Sequence, residues 1–209
     1  MFKVLFLDLD GVLRLWDPEL TGVVELTHGL PAGSLSLAAF APHRHLPALT
    51  GVVDDQAWRD SVTEAVVAEH GEAGRAAVRD WMVPVGTIDA EVLDVVRRAR
   101  SRLGVVLLAN ATSRLREDLE RLGLIDEVDG VVSSADLGLA KPDPDVFSRA
   151  ALQKGLMFSE IVFVDHSPDS VATAEILGIR THHYQGVEGL RTFIDDVLSP
   201  DAAPNQAFD

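Results

Sequence analysis

Two carboxylates stand one residue apart near the start of the chain, directly after an apolar segment. Asp8 and Asp10 follow residues 2–7, and Gly11 comes next. An apolar segment of this length that contains Val and Phe predicts a strand buried on both faces, as in a parallel sheet. Ligands in open α/β sheets bind beyond the carboxyl ends of such strands. Because two crowded acids repel unless a cation or a shared proton relieves them, the pattern predicts a site for a charged substrate.

Three further polar segments occupy similar positions later in the chain. They are residues 108–112, 141–144 and 164–169. The first and the last follow apolar segments typical of buried strands, and the middle one precedes a predicted helix. Since the carboxyl ends of parallel strands lie at one edge of a sheet, we expect the polar residues of these segments to meet the N-terminal carboxylates there.

Helix and strand patterns alternate from residue 85 onward. Strands are predicted at residues 105–109, 131–132, 161–164 and 179–184, and helices at residues 89–103, 113–122, 144–154, 167–177 and 187–198. Ser113 is the predicted N-cap of the second of these helices. Such alternation predicts a parallel sheet covered by helices. The expected fold class is α/β, with a Rossmann-like doubly wound parallel sheet as the core.

Residues 15–84 interrupt the alternation. Helices are predicted at residues 55–70 and 72–82, whereas residues 30–47 are rich in small residues, Pro and His and are expected to be loop-like or weakly helical. The predicted organisation is an α/β core of residues 1–14 and 85–198, with residues 15–84 as a small helical cap inserted after the first strand. Residues 199–209 contain two prolines and little apolar content, and are predicted to be a flexible tail.

Composition excludes several classes of partner. The 209 residues carry a net charge of −15, which disfavours nucleic acids and anionic membrane surfaces as ligands. The chain has no cysteine, no apolar stretch long enough to span a bilayer and no N-terminal pattern of a signal peptide. We therefore expect a cytoplasmic protein without disulfides or Cys-based metal sites. Its oligomeric state does not follow from the sequence.

The four polar segments, taken in order, resemble those of the haloacid dehalogenase (HAD) superfamily, within it the phosphatases that carry a helical cap after the first motif. The resemblance extends over nearly the whole chain, and residues 46–59 also look like the cap of one phosphatase branch. It implies that Asp8 is the nucleophile that forms an aspartyl phosphate and that Asp10 is the general acid and base. It further implies that Lys141 is catalytic, neutralising developing charge, binding the substrate phosphate and keeping Asp8 ionised.

The same resemblance implies a metal centre and a phosphate-binding segment. Asp8, Asp10 and Asp165 are the implied ligands of Mg²⁺, with Asp10 contributing its backbone carbonyl. His166 stands where the family usually has a second acid, which makes His166 and Asp169 further candidate ligands and brings Mn²⁺ or Zn²⁺ into consideration.

The phosphate-binding segment also departs from the family. Ala109 occupies the position of the usual phosphate-binding Ser or Thr, and Asn110 and Thr112 are the neighbouring candidates for that task. Of the three tryptophans, Trp16 is closest in sequence to the first motif and is the best candidate to touch substrate.

These observations favour a Mg²⁺-dependent hydrolase of a small phosphorylated metabolite. Dehalogenases of the superfamily lack an aspartate at the position of Asp10, because a departing halide needs no proton, so phosphate ester chemistry is preferred. Two alternatives stay open. A catalytically impaired homologue that binds a phosphorylated ligand or a protein partner would account for Ala109 and His166, and a phosphomutase would use the same core.

Overall fold

The computed structural model describes residues 2–199, so the predicted tail lies outside the described residues except for Ser199. The elements in chain order are β1 Val4–Leu7, β2 Arg14–Leu15, α1 Leu20–Thr27, α2 Ser34–Ala39, α3 Pro42–Leu49, α4 Asp55–His70, α5 Ala73–Met82, β3 Thr87–Ile88, α6 Ala90–Arg100, β4 Gly104–Ala109, α7 Leu115–Arg121, β5 Gly130–Ser133, α8 Ser134–Leu137, α9 Pro144–Lys154, β6 Ile161–Asp165, α10 Pro168–Ile176, β7 Arg180–His183 and α11 Val187–Leu198.

Five parallel strands form the central sheet in the order β5-β4-β1-β6-β7. The strand β1 lies in the middle, and the chain builds outward from it first through β4 and then through β6. This reversal of direction creates a topological switch point beside β1, which is where α/β sheets place their ligands. The predicted α/β, Rossmann-like fold class is confirmed.

Apolar clusters cover both faces of the sheet. On one face the strands pack against α6, α7 and α11, and on the other against α9 and α10. The second cluster contains Phe6, Phe147 and Phe163, all fully buried, with the last two rings in edge contact. Burying one such ring contributes about 1.5–3 kcal/mol, so the strand ends that carry the polar segments are held by a rigid core.

The five helices α1–α5 form a unit with its own apolar core, which includes Trp58, Val62 and Val78. Residues 34–39 and 42–49 are helical, so of the two alternatives expected for this segment, loop-like or weakly helical, the helical one holds there. Pro42 sits at the start of α3, where its missing N–H costs nothing, and packing of both helices against α4 outweighs their weak propensity.

The chain enters and leaves the helical unit through β2 and β3, which pair antiparallel. Two-residue strands produce no periodic signal, and the sequence did not predict them. The limits assigned to the cap and core remain a prediction. Within residues 2–199, no helix combines the length and the apolar character that crossing a bilayer requires.

Candidate active site

Asp8 and Asp165 lie at the carboxyl ends of neighbouring strands, and both are buried. Asp8 directly follows β1 and Asp165 ends β6. The ammonium group of Lys141, which precedes α9, lies between the two carboxylates. Lys141 Nζ donates to Asp8 Oδ1 at 2.8 Å and to Asp165 Oδ2 at 2.6 Å. Three ionisable side chains that are remote in sequence thus form one compact charged cluster at the topological switch point.

The cluster keeps Asp8 ionised. Burial acts to raise the pKa of Asp8, but the charge of Lys141 and hydrogen bonds from His166 and Lys141 hold it below its ordinary value. At Asp165 burial prevails over Lys141, and the charge of Asp8 adds to it, so the pKa of this carboxyl is raised. The two acids therefore differ in proton affinity, and Asp8 is the one suited to act as a charged nucleophile.

His166 contacts the other oxygen of Asp8. Its Nδ1 lies 2.8 Å from Asp8 Oδ2 and 3.6 Å from Asp165 Oδ1. The hydrogen bond with Asp8 raises the pKa of His166, although partial burial opposes the rise. Gly11 packs against the ring: its φ is 75°, and a Cβ at this position would lie 3.2 Å from the imidazole. Glycine therefore permits both the turn after Asp10 and the close approach of His166.

Asp8, Asp165 and His166 each offer a donor atom within 4.8 Å of the other two, a spacing that fits a divalent cation. The two carboxylates suit Mg²⁺, whereas the imidazole nitrogen suits Mn²⁺ or Zn²⁺ better. Asp169, a further candidate ligand, is exposed in the first turn of α10 and lies outside this group. The donor set is thus compatible with a metal, with two oxygens and one nitrogen.

Asp10 points away from this cluster, toward the helical unit. Arg14 holds its carboxylate by two hydrogen bonds, Nε to Oδ1 at 2.7 Å and a terminal guanidinium nitrogen to Oδ2 at 2.8 Å. The indole N–H of Trp16 donates to Oδ1 at 2.6 Å. All three groups donate, so both carboxyl oxygens of Asp10 act as acceptors. Asp10 therefore stands close to Asp8 in sequence but has its own set of partners, Arg14 and Trp16.

The polar residues after β4 are engaged with protein partners. Asn110 Nδ2 donates to the backbone oxygen of Lys141, and Lys141 N donates to Asn110 Oδ1, both at 2.8 Å. The Thr112 hydroxyl donates to Asp55 Oδ1 at 2.6 Å. Ser113 Oγ accepts from the backbone N–H of Asp55 at 2.9 Å, so it serves the first turn of α4 and not, as predicted, that of α7. The loop after β4 thus fastens the helical unit to the sheet.

Ala109 ends β4 and is buried. Its methyl group belongs to the apolar cluster on the face of the sheet covered by α6, α7 and α11. Phe163 belongs to the cluster on the opposite face, and Asp165, two residues later in the same strand, shares that face with it. The structure therefore does not bring the Ala109 side chain to Lys141 and the carboxylates.

Sequence reasoning missed two residues that shape the site. Arg14 is buried and binds both Asp10 and, at 3.4 Å, Asp118. Asp55 joins the helical unit to the loop after β4. The available sequence signal for Arg14 was its position four residues after Asp10, the second carboxylate. No local pattern connects Asp55 with Thr112, because 57 residues separate them.

Known proteins resemble this chain in sequence and in fold. Residues 2–178 match the family model of the haloacid dehalogenase-like hydrolases. Validoxylamine A 7'-phosphate phosphatase from Streptomyces hygroscopicus subsp. limoneus is 27% identical over 185 residues, 86% of this chain and 84% of that protein. Haloacid dehalogenase-like hydrolase domain-containing protein 3 from Danio rerio is 34% identical over 90 residues, which are 43% of this chain. The match covers only 37% of the length of that relative.

A solved structure shares the fold over most of its length. It is a HAD family enzyme from Bacteroides thetaiotaomicron in complex with magnesium and inorganic phosphate, with a TM-score of 0.71 and 22% identity over 87% of this chain and 93% of that one. Solved dehalogenases share the fold as well, so the fold alone does not distinguish phosphate ester hydrolysis from dehalogenation. The family match over residues 2–178 shows that this chain belongs to the haloacid dehalogenase-like hydrolases.

Proposed function

We propose that this protein hydrolyses phosphate monoesters through an aspartyl phosphate on Asp8. The observation that carries the proposal is the environment of Asp8. This carboxylate is buried, Lys141 and His166 keep it ionised, and Asp10 follows it two residues later in the sequence. A charged oxygen positioned beside a fixed ammonium is a nucleophile prepared for an anionic phosphoryl group. The small phosphorylated substrate is part of this proposal.

The reaction proceeds in two displacements. A carboxylate oxygen of Asp8 attacks phosphorus, the bond from phosphorus to the ester oxygen breaks, and the departing oxygen takes a proton from the acid form of Asp10. Water then attacks phosphorus, its proton passes to Asp10, and the bond to Asp8 breaks to release phosphate. The base in this second step is the ionised form of Asp10, whose two oxygens accept from Arg14 and Trp16.

Lys141 offsets negative charge during both steps. Its ammonium lies in contact with the Asp8 oxygen that does not contact His166, so it stays close to the phosphoryl group throughout. We further propose that Asp8, Asp165 and His166, with the backbone carbonyl of Asp10, hold Mg²⁺, Mn²⁺ or Zn²⁺. When bound, the cation adds positive charge that binds and activates the anionic phosphate.

Two features support phosphate esters over haloacids. The chain has a second carboxyl group, Asp10, to which we assign the protonation of an alcohol leaving group, and a departing halide needs no proton. A relative that matches along most of this chain is named a phosphatase.

A binding module is the second candidate function. Asn110 and Thr112 already bond Lys141 and Asp55, and Ala109 offers no hydroxyl, so these bonds leave to a phosphate only the second amide N–H of Asn110 among the side-chain donors of residues 109–112. A weak or absent turnover with retained phosphate binding would follow.

The deciding experiment measures turnover of a panel of phosphomonoesters with Mg²⁺, Mn²⁺ and Zn²⁺. We expect the wild type to be active and Asp8→Asn to lose about three orders of magnitude or more in kcat, because the attacking charge is gone. Asp94→Asn, which makes the same change on the exposed face of α6, is the matched control. Equal activity of the wild type and Asp8→Asn would refute the nucleophile, and phosphate binding without any turnover would favour the binding module.

A further inference from the structure

A cavity of about 340 Å³ lies between the helical unit and the polar ends of the strands. Asp10, Asn110 and Thr112 line it on the side of the sheet, and α1, α3, α4 and α5 line it on the other. Asp10 is the proposed proton donor to the leaving group, so a substrate whose phosphate lies at Asp8 would extend its organic part into this space. The inference that follows rests on the proposed function and concerns the substrate that this site takes.

Four aromatic rings form part of the cavity wall, together with aliphatic side chains. Trp16, Phe40, Trp58 and Trp81 line it, and Phe40 makes edge contacts with Trp81 at 6.0 Å and with His45 at 5.1 Å between ring centroids. Burial lowers the pKa of His45, so this ring is neutral at neutral pH. Much of the contact surface offered to a ligand is therefore ring carbon and aliphatic carbon, and the polar and charged side chains form the rest.

The indole N–H groups are already used within the protein. Trp58 donates to the backbone oxygen of Ala39 at 3.1 Å, and Trp81 donates to the Thr21 hydroxyl at 3.0 Å. Trp16 donates to Asp10. A ligand in the cavity thus meets the faces and edges of these rings and not their polar atoms.

The charged residues that line the cavity are paired with one another. Arg14 binds Asp10 and Asp118, Arg59 binds Asp55, and Arg114 Nε lies 2.8 Å from Asp118 Oδ1.

The remaining charged lining residue, Asp17, accepts from the backbone N–H of Glu19 at 2.9 Å. Every charged side chain among the lining residues of this described cavity therefore has a protein partner, although Asp118 Oδ1 lies near Arg114 Nε without making a hydrogen bond. A charged group, or one with many hydroxyls, would compete with these pairs for partners and lose much of its own water with little compensation, which is unfavourable.

We propose that the leaving group of the substrate is an uncharged, apolar alcohol with an aromatic or similarly flat ring. Its size follows from the volume: a cavity of about 150 Å³ is enough to hold one benzene ring, so this one accommodates a group of up to about two rings. Flat apolar groups gain most from such walls, because offset and edge contacts between rings add to the burial of apolar surface.

The test compares phosphate esters whose leaving alcohols have similar basicity, so that differences report the cavity and not intrinsic reactivity. Benzyl phosphate and 2-phenylethyl phosphate represent the proposed class, and glycerol phosphate and glucose 6-phosphate represent polyhydroxylated esters. We expect kcat/KM to be about 10- to 100-fold higher for the aryl-bearing esters, as burial of one ring predicts. A preference for the polyhydroxylated esters would overturn the inference and leave the proposed function intact.

Phe40→Ala makes the test specific to the cavity. Phe40 is half exposed, so its truncation does not open the core. We expect the ratio of kcat/KM for benzyl phosphate to that for glycerol phosphate to fall about 3- to 10-fold, in proportion to the lost ring contact. Leu37→Ala changes an exposed side chain of α2, the helix that ends just before Phe40; Leu37 does not line this cavity, so the ratio should stay as it is. An unchanged ratio in Phe40→Ala would contradict the proposal.

A binding measurement separates failure of this inference from failure of the proposed function. All three tryptophans of the chain line the cavity, so intrinsic fluorescence reports on it directly. Benzylphosphonate, which cannot be hydrolysed, should change this fluorescence in a saturable manner, and glycerol phosphate should not at equal concentration. If the protein binds benzylphosphonate saturably but hydrolyses none of the esters, the inference about the cavity stands and the proposed phosphatase function is wrong. Absence of the fluorescence change would overturn the cavity assignment whatever the turnover.

Discussion

Asn110 and Lys141 are joined by two reciprocal hydrogen bonds of 2.8 Å, between the side-chain amide of Asn110 and the backbone of Lys141. The same lysine extends its ammonium to Asp8 and Asp165. The amide therefore fixes the backbone from which the lysine reaches the cluster, and it connects the ends of β4, β1 and β6 through one side chain. We infer from these bonds that Asn110 positions Lys141.

We predict that Asn110→Ala lowers kcat about 100-fold, because a displacement of a catalytic group by about 1 Å can cost that much. Asn110→Asp retains the acceptor for Lys141 N but replaces the donor with a charged oxygen that faces the Lys141 carbonyl; because one of the two bonds survives, its loss should still be smaller. Steady-state kinetics on both variants, with thermal unfolding to confirm the fold, provide the measurement. Equal losses in the two variants would contradict a positioning role that depends on both bonds.

Lys141→Met should destabilise the protein as well as inactivate it. The change leaves Asp8 and Asp165 buried beside each other without their cation, a loss of about 3–5 kcal/mol in the free energy of unfolding. Urea unfolding in the presence of EDTA measures it. The matched control is Lys3→Met, whose ammonium is largely exposed and pairs with Glu160 at 2.5 Å; a surface pair of this kind contributes about 0–1 kcal/mol. Similar losses in the two variants would argue against the buried cluster.

Sequence periodicity predicted the long elements well, because amphipathic or fully apolar segments have few competing structures. The predicted limits of α4, α9 and α11 coincide with those observed. The order of the apolar segments also placed Asp8, Lys141 and Asp165 together, since parallel strands bring their carboxyl ends to one edge. Partners of individual side chains did not follow from the sequence.

Thr112 illustrates why side-chain partners are hard to predict from the sequence. Its hydroxyl could serve a phosphate or a protein group, and the choice depends on where α4 packs, which is decided by tertiary contacts. For the same reason the sequence left residues 30–47 as loop-like or weakly helical: α2 and α3 are short, contain Pro or small residues and depend on α4 for their stability.

Thr112→Val should loosen the attachment of the helical unit to the sheet. The variant removes a hydrogen bond to a charged carboxylate, worth about 1.5–3 kcal/mol, while it preserves the shape of the side chain. Because all three tryptophans line the cavity at this junction, acrylamide should quench their fluorescence more strongly than in the wild type. Thr63→Val removes a hydroxyl that bonds only the preceding turn of α4 and is the matched control. Quenching that is the same in both variants would mean that this bond does not hold the junction.

His166→Asp tests the metal site through binding and not only through activity. In the absence of metal the variant places a third carboxylate beside Asp8 and Asp165, so its melting temperature should fall. Mg²⁺ should then stabilise it more than it stabilises the wild type, with a Kd lower by about 10-fold or more, because an oxygen replaces a nitrogen that Mg²⁺ binds poorly. The preference for Zn²⁺ over Mg²⁺ should decrease in parallel.

Calorimetry with each cation measures these changes directly. His43→Asp adds the same charge to an exposed position of α3 and should leave the metal affinities close to those of the wild type. A variant that binds Mg²⁺ no better than the wild type would mean that His166 does not face the cation. Weaker binding of both Mg²⁺ and Zn²⁺ would show that the imidazole is a required ligand in a site adapted to it.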